Sequence, residues 1–150
     1  MTTMINFYGV REPYGQLSNF AAFPIELDGL SWPTAEHYFQ AQKFAGTPHA
    51  ETIRNAKGGR GAAQAGRSRK HPMRGDWPSA RDDVMRCALR AKFTQHPELF
   101  DLLVGTADAL LVEHTANDSY WGDGGDGSGR NRLGELLMEL RSELVAEASR

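Results

Sequence analysis

The chain is short of cysteine, of unbalanced charge and of long apolar runs, and each shortage removes a class of protein. One of its 150 residues is cysteine, Cys87, so no internal disulfide can form and a disulfide-stapled secreted scaffold is excluded. That thiol lies within VMRCALRAKF, a helical pattern in which a small buried apolar residue is expected. The 17 basic residues are offset by 19 acidic ones, for a formal net charge of −2. A general nucleic-acid binder needs a basic bias, so any nucleotide has to be held locally. No apolar run approaches ~18 residues, and the N-terminal MTTMINFYGV has no charged stretch followed by an apolar one. Neither a membrane span nor a secretory signal is expected, and the cytoplasm is the expected compartment. The length fits one domain, 1–150, with core enough to fold without disulfide or structural metal.

Several catalytic motifs are missing as well. There is no G-x-x-x-x-G-K-[ST] loop, and no G-x-G-x-x-G follows a strand with an acidic partner about twenty residues on. The five histidines, His37, His49, His71, His96 and His114, form no H-x-x-x-H pair, and a single cysteine permits no C-x-x-C, so zinc has no ligand motif. No G-x-S-x-G elbow occurs, and Cys87 has no activating neighbour visible in sequence. A calcium loop counted from Asp123 places Gly134 where the twelfth-position glutamate belongs. No metal and no cofactor is expected, which leaves carboxylates, lysines and aromatics.

The pattern of the chain predicts an α+β fold, predominantly helical, with a small sheet of short strands. Alternation over residues 5–8 and 23–27 marks two strands, the second followed by Asp28-Gly29 and a tight turn, and residues 110–114 mark a third. These runs are expected to form one small sheet. Thr34 N-caps a first helix that Gly46-Thr47-Pro48 closes. A second helix covers residues 49–55. The glycine-rich, basic stretch KGGRGAAQAGRSRKHPMRGDW then predicts a loop, with at most one helical turn around residues 62–65. A capping-box-like Ser79 and Asp82 open a long helix to about Thr94. Pro97 fits the first turn of a short helix over residues 98–104, and an amphipathic helix runs from about 131 to 146.

Two segments carry candidate chemistry. In SWPTAEHYFQAQKF, Glu36, Gln40 and Lys43 stand at i, i+4 and i+7 and share one helical stripe, with Phe39 and Phe44 flanking it. Alone, that spacing also fits a solvated face whose pairs add ~0.2–0.5 kcal/mol to a helix. In NDSYWGDGGDGSGRN, glycines and aspartates lead into a helix start bearing Arg130 and Arg132, which fits a phosphate cradle or a flexible surface connection. Arg67, Arg69 and Lys70 fit a solvated basic patch or a phosphate site.

Four strings in this order, GQLSNFAAFPIELDG, SWPTAEHYFQAQKF, RCALRAKFTQHPEL and LVEHTANDSYWGDGGDGSGRNRLGELLMELR, resemble the NADAR family over nearly the whole chain. The stretch NAKGGRGAAQAGR departs from that pattern in its glycine content. The resemblance implies an N-glycosidase that hydrolyses the base–ribose bond of reactive aminopyrimidine ribosyl-phosphate intermediates of riboflavin synthesis, or that removes ADP-ribose from modified guanine, free or in nucleic acid. Either substrate joins ribose through nitrogen to an aminated heterocycle. Cleaving that bond builds positive charge on the sugar, so a fixed carboxylate near C1′ and an acid for the leaving base are needed. On this reading Glu36 is the acid/base, Asp118 the second carboxylate, and Lys43, with Lys92 as the alternative, an amine that forms an imine with the ring-opened sugar. Trp121 is expected to stack on the heterocycle, Arg67 to hold the phosphate, and Asn19 and Asn131 to orient hydroxyls or base edges. Trp32, Gln40 and Gly122 complete the substrate-binding set. Two rival functions are a non-catalytic ADP-ribose or nucleotide-phosphate binding module, using the arginines and the glycine loop, and an interaction protein using the terminal helix.

Overall fold

The computed structural model describes residues 3–150, in the order β1 (Met4–Phe7), a 3₁₀ turn (Gly15–Leu17), β2 (Ile25–Leu27), β3 (Leu30–Trp32), α1 (Ala35–Gln42), α2 (Pro48–Arg54), α3 (Gly58–Gly66), α4 (Trp77–Gln95), α5 (Pro97–Gly105), β4 (Leu110–Glu113) and α6 (Arg132–Ala148). The fold is α+β and mostly helical. The chain divides into two units, one formed by Asn19–Gln95 and the other by the residues up to Ser18 together with His96–Arg150.

In the Asn19–Gln95 unit, Asp28 and Gly29 take φ of 55° and 77°, the consecutive left-handed residues that a two-residue hairpin loop requires. They pair β2 with β3 antiparallel, Leu27 opposite Leu30 and Ile25 opposite Trp32. α1 is the hub. Its start is set by Thr34, whose Oγ1 accepts the His37 N–H at 3.1 Å, a cap of the kind that adds ~1 kcal/mol. It packs on α2, α3, α4 and β3, around a core that includes Ile25, Trp32, Tyr38, Phe44 and Ile53.

Three expectations are corrected here. The glycine-rich stretch is a helix, α3, not a loop. Its glycines admit close neighbours: a Cβ at Gly59 would strike the Phe20 Cα at 2.9 Å, and one at Gly66 would strike the Gln40 side chain. Close packing repays their low helix propensity. Cys87 is exposed, because the buried positions of α4, Met85, Ala88, Leu89 and Lys92, follow a stripe at spacings of three and four that leaves position 87 on the opposite side. The long helix begins at Trp77, with Pro78 in its first turn, two residues before the expected Ser79 cap.

In the other unit β1 and β4 pair in parallel, Met4 with Leu110 through Phe7 with Glu113. The short strands therefore form two separate two-stranded sheets instead of one. α6 buries Leu133, Leu136, Leu137, Leu140 and Leu144, an i, i+3, i+4, i+7, i+11 stripe, and packs on β4 and α5. Arg141 fixes the end of α5, donating to Thr106 Oγ1 at 2.9 Å and to the Ala109 carbonyl at 2.8 Å. Among the described residues no helix is long and apolar enough to cross a membrane.

Candidate active site

The stripe on α1 is buried where a solvated face would be exposed. Glu36 and Gln40 are each 7% exposed, and the Gln40 Nε2 donates to Glu36 Oε1 at 2.6 Å. The backbone N–H of Glu36 donates to the Asn19 carbonyl at 3.2 Å, which ties the first turn of the helix to the start of this unit. A carboxylate taken out of water needs such donors. The arrangement depends on Gly66, the last residue of α3, whose missing side chain makes room for the Gln40 carboxamide. Gln40 Oε1 and Asn19 Oδ1 are buried acceptors with no hydrogen-bond partner among the described residues. The Asn19 Nδ2 is directed at Met85 Sδ, 3.2 Å away.

Lys43 caps the C-terminal end of α1 and is partly buried. Its Nζ donates to the Gly66 carbonyl at 3.4 Å and lies 6.0 Å from the centre of the Phe39 ring, which itself packs on Trp77 at 5.1 Å. Burial lowers its basicity below the ordinary value, the Glu36 carboxylate opposes that shift and the Arg67 guanidinium adds to it. Both charges therefore act on this amine, so the structure groups Glu36, Gln40, Lys43 and Arg67. Arg67 caps α3, is exposed, and pairs with no carboxylate among the described residues. Lys92, on α4, has no exposed surface, and burial pushes its amine down to about 7. Its Nζ lies 5.2 Å from the Phe93 ring centre and 5.9 Å from that of Phe23. Trp32 departs from its expected role: it is 4% exposed, its Nε1–H is used by the Leu27 carbonyl at 3.0 Å, and its ring packs edge-on against Tyr38. It is a core residue with no polar atom to offer a substrate.

The other unit holds Asp118, Trp121, Gly122 and Asn131, and the loop that carries them is neither a flexible connection nor a phosphate cradle. Its amides are spent internally: Asp123 N donates to the Glu113 carbonyl, Gly129 N to that of Asp123, Arg130 N to that of Ser119 and Arg132 N to that of Tyr120, all at 2.8–2.9 Å. Asp118 Oδ1 accepts from the N–H groups of Tyr120 and Trp121, each at 2.8 Å. Trp121 is partly exposed and meets Tyr120 edge-on at 4.8 Å. Asn131, at φ 52°, is a clip. Its Nδ2 donates to the Leu111 carbonyl at 2.9 Å and its Oδ1 accepts the Glu113 N–H at 3.0 Å, so both ends of its amide serve β4. Gly122 is buried, and a Cβ there would lie 2.8 Å from the Asp118 carbonyl oxygen, so the close approach of the loop backbone requires glycine. Sequence reasoning passed over His114 and Asp123, which pair at 2.7 Å; nine residues apart, they form no short motif.

A buried carboxylate held by an amide, beside an amine of lowered basicity, is the equipment of an enzyme working by acid–base or amine chemistry. The NADAR domain model matches residues 6–145, and the chain belongs to the NADAR family. It is 59% identical over 145 residues to the N-glycosidase YbiA of Escherichia coli strain K12, covering 97% of this chain and 91% of that protein. It is 42% identical over 148 residues to the riboflavin biosynthesis protein VVA0006 of Vibrio vulnificus, covering 99% of this chain and 40% of that one. The NMR structure of the E. coli protein YbiA superposes with a TM-score of 0.92 at 57% identity, covering 100% of this chain and 90% of that one.

Proposed function

We propose that this chain is an N-glycosidase, a hydrolase of the base–ribose bond in reactive aminopyrimidine ribosyl phosphates, acting as a single cytoplasmic domain. The observation that carries the reading is the buried Glu36 carboxylate, clamped by Gln40 beside Lys43, in a chain 59% identical to an N-glycosidase over nearly its whole length. The riboflavin biosynthesis relative supports the substrate class.

Breaking a ribosyl C1′–N bond leaves positive charge on the sugar, and a preoriented carboxylate stabilises that charge without reorganising. Gln40 supplies the preorientation by holding one oxygen of Glu36, and the carboxylate so held is assigned to C1′ or to the attacking water. Lys43 supplies a second route. Ribosylamines open to an imine, and a neutral lysine adds to C1′. The aminopyrimidine then leaves as its free amine with the two hydrogens the lysine nitrogen gives up, one on addition and one on elimination, and water displaces the lysine to release the sugar aldehyde. Lowered basicity favours the neutral amine that this step needs. Lys43 is preferred to Lys92 because it is partly exposed and Lys92 is not. Arg67, exposed and with no carboxylate partner among the described residues, is assigned the 5′-phosphate. Asp118 and Trp121, expected from the sequence as the second carboxylate and the stacking ring, belong to the other unit, where the Asp118 carboxylate accepts the Trp121 N–H at 2.8 Å. ADP-ribosylated guanine is the alternative substrate, and a phosphate-binding module the alternative function.

The test is product analysis. The purified chain releases free aminopyrimidine from a ribosylaminopyrimidine 5′-phosphate. Glu36→Gln keeps the fold, because an amide replaces a carboxylate of equal size, and loses turnover by at least ~10²-fold. Glu36→Gln turnover close to wild type ends the assignment, and tight binding without release by the wild type selects the binding module.

A further inference from the structure

Among the described residues two buried side-chain acceptors lack a hydrogen-bond partner, Asn19 Oδ1 and Gln40 Oε1. Both belong to the Asn19–Gln95 unit, and both residues adjoin Glu36. The Asn19 carbonyl accepts the Glu36 N–H at 3.2 Å, and Gln40 Nε2 donates to Glu36 Oε1 at 2.6 Å. Their side-chain N–H groups are spent, that of Gln40 on Glu36 and that of Asn19 on Met85 Sδ at 3.2 Å. The fold therefore uses each amide as a donor and leaves its oxygen over. Buried polar groups in folded proteins are nearly always paired, because an acceptor kept from water without a donor lowers stability. Neither residue lies deep. Phe20, next to Asn19 in the chain, is 40% exposed, and Lys43, whose Nζ donates to the carbonyl of Gly66 beside Gln40, is partly exposed.

The identity of the leftover atoms selects the ligand. An amide oxygen accepts and never donates, so it turns away phosphate and carbonyl oxygens and takes N–H or O–H. A hydroxyl both donates and accepts, so a donor satisfies it as readily as an acceptor does. The amino group of an aromatic ring has its lone pair drawn into the ring and needs an acceptor. Two such oxygens beside the Glu36 carboxylate, itself an acceptor, suit a base bearing amino groups and not one bearing carbonyls alone.

We propose that Asn19 Oδ1 and Gln40 Oε1 receive N–H groups of the base, so that this chain selects amino-substituted pyrimidines over pyrimidines lacking the amino group. This rests on the N-glycosidase reading above and deepens it: amination of the base is the property read, and Asn19 and Gln40 are the residues that determine specificity. A base without the amino group leaves these oxygens unpaired, and a site built to pair an N–H discriminates against the analogue that lacks it.

The test compares three substrates of the full chain. The first is a ribosylaminopyrimidine 5′-phosphate with an amino group on the ring carbon beside the ribosylated position, the second has hydrogen in place of that amino group, and the third is the 2′-deoxyribosyl form of the first. Each rate is divided by the uncatalysed hydrolysis rate of the same compound, which removes differences in intrinsic lability. Wild-type kcat/KM is expected to fall by ~10- to 10²-fold from the first to the second. Asn19→Leu is expected to lose activity on the first and to treat the two alike. Gln40→Met is expected to lower both, because it also releases Glu36, and to close the same gap. Equal wild-type values on the first and second compounds overturn the proposal, as does a gap that survives in either variant. A loss confined to the 2′-deoxy compound gives the oxygens to a sugar hydroxyl and overturns it as well. If the wild type releases no base from any of the three, the N-glycosidase reading fails, and the selection is then read from calorimetry with the free bases: tighter binding of the diamino base supports it, and equal affinities overturn it.

Discussion

Placing a methyl group at Gly66 is the sharpest probe of how the Glu36 carboxylate is held. A Cβ there would collide with Gln40 Oε1, lie 2.6 Å from its Cδ and 3.0 Å from its Cβ. The last distance matters most, because turning the carboxamide does not move Gln40 Cβ, so the whole residue or the helix end has to shift. Overpacking of this kind costs ~1–3 kcal/mol. Losing the Gln40 hydrogen bond to a charged, buried Glu36 costs a further ~1.5–3 kcal/mol. Alanine's helix propensity gives back at most ~1 kcal/mol. Gly66→Ala is therefore destabilising by roughly 2–5 kcal/mol, or about 5–15 °C in Tm for a chain of this size. Gly61→Ala is the internal control. It lies in the same helix, and its Cβ would meet nothing nearer than Ala56 Cβ at 3.6 Å, so it gains ~0.5–1 kcal/mol and raises Tm by a few degrees. Thermal unfolding followed by far-UV circular dichroism reads both. A Gly66→Ala variant melting at or above the wild type refutes the Gln40 clamp, and a Gly61→Ala variant that loses stability refutes α3 as a helix.

Two further predictions concern the lysines. Lys92 titrates at about 7 in the folded chain against an ordinary 10.5, so between those values the unfolded chain holds a proton that the folded chain has lost. Stability therefore rises as pH increases through that window. Urea titrations at pH 6 and pH 9 should show the rise, and Lys92→Met should flatten it; an unchanged pH slope in Lys92→Met refutes burial as the cause. For Lys43, borohydride added during turnover is expected to trap the sugar on Lys43, identified by peptide mass spectrometry. An adduct on Lys92 transfers the role, and no adduct on either removes the imine route.

What the sequence made legible follows from the range of the interactions involved. α1 was readable because Thr34 marks its start within the segment itself, although the helix ends at Gln42, short of the Gly46 expected to close it, and the Asp28-Gly29 hairpin because two adjacent residues dictate the backbone. The stripe of Glu36, Gln40 and Lys43 followed from helical geometry, but its burial did not, since that depends on α3 approaching through Gly66. The same cause hid α3: a glycine run signals a loop locally, and only the partner touching it shows that the missing side chains serve close packing. Parallel pairing of Met4 with Leu110 joins the two ends of a long insertion, which no short-range pattern reports. Asn131 and Trp32 were assigned to substrate by residue type, whereas their polar atoms are consumed by backbone groups brought near only by folding. The general lesson is about acceptors and donors. A side chain is available to a ligand when the fold leaves a polar atom unspent, and by that measure His114 Nε2 and the Arg67 guanidinium stand ahead of Asn131, Gly122 and Trp32. Substituting Arg67 should alter substrate turnover with little effect on stability, and substituting Asn131 or Trp32 should do the reverse.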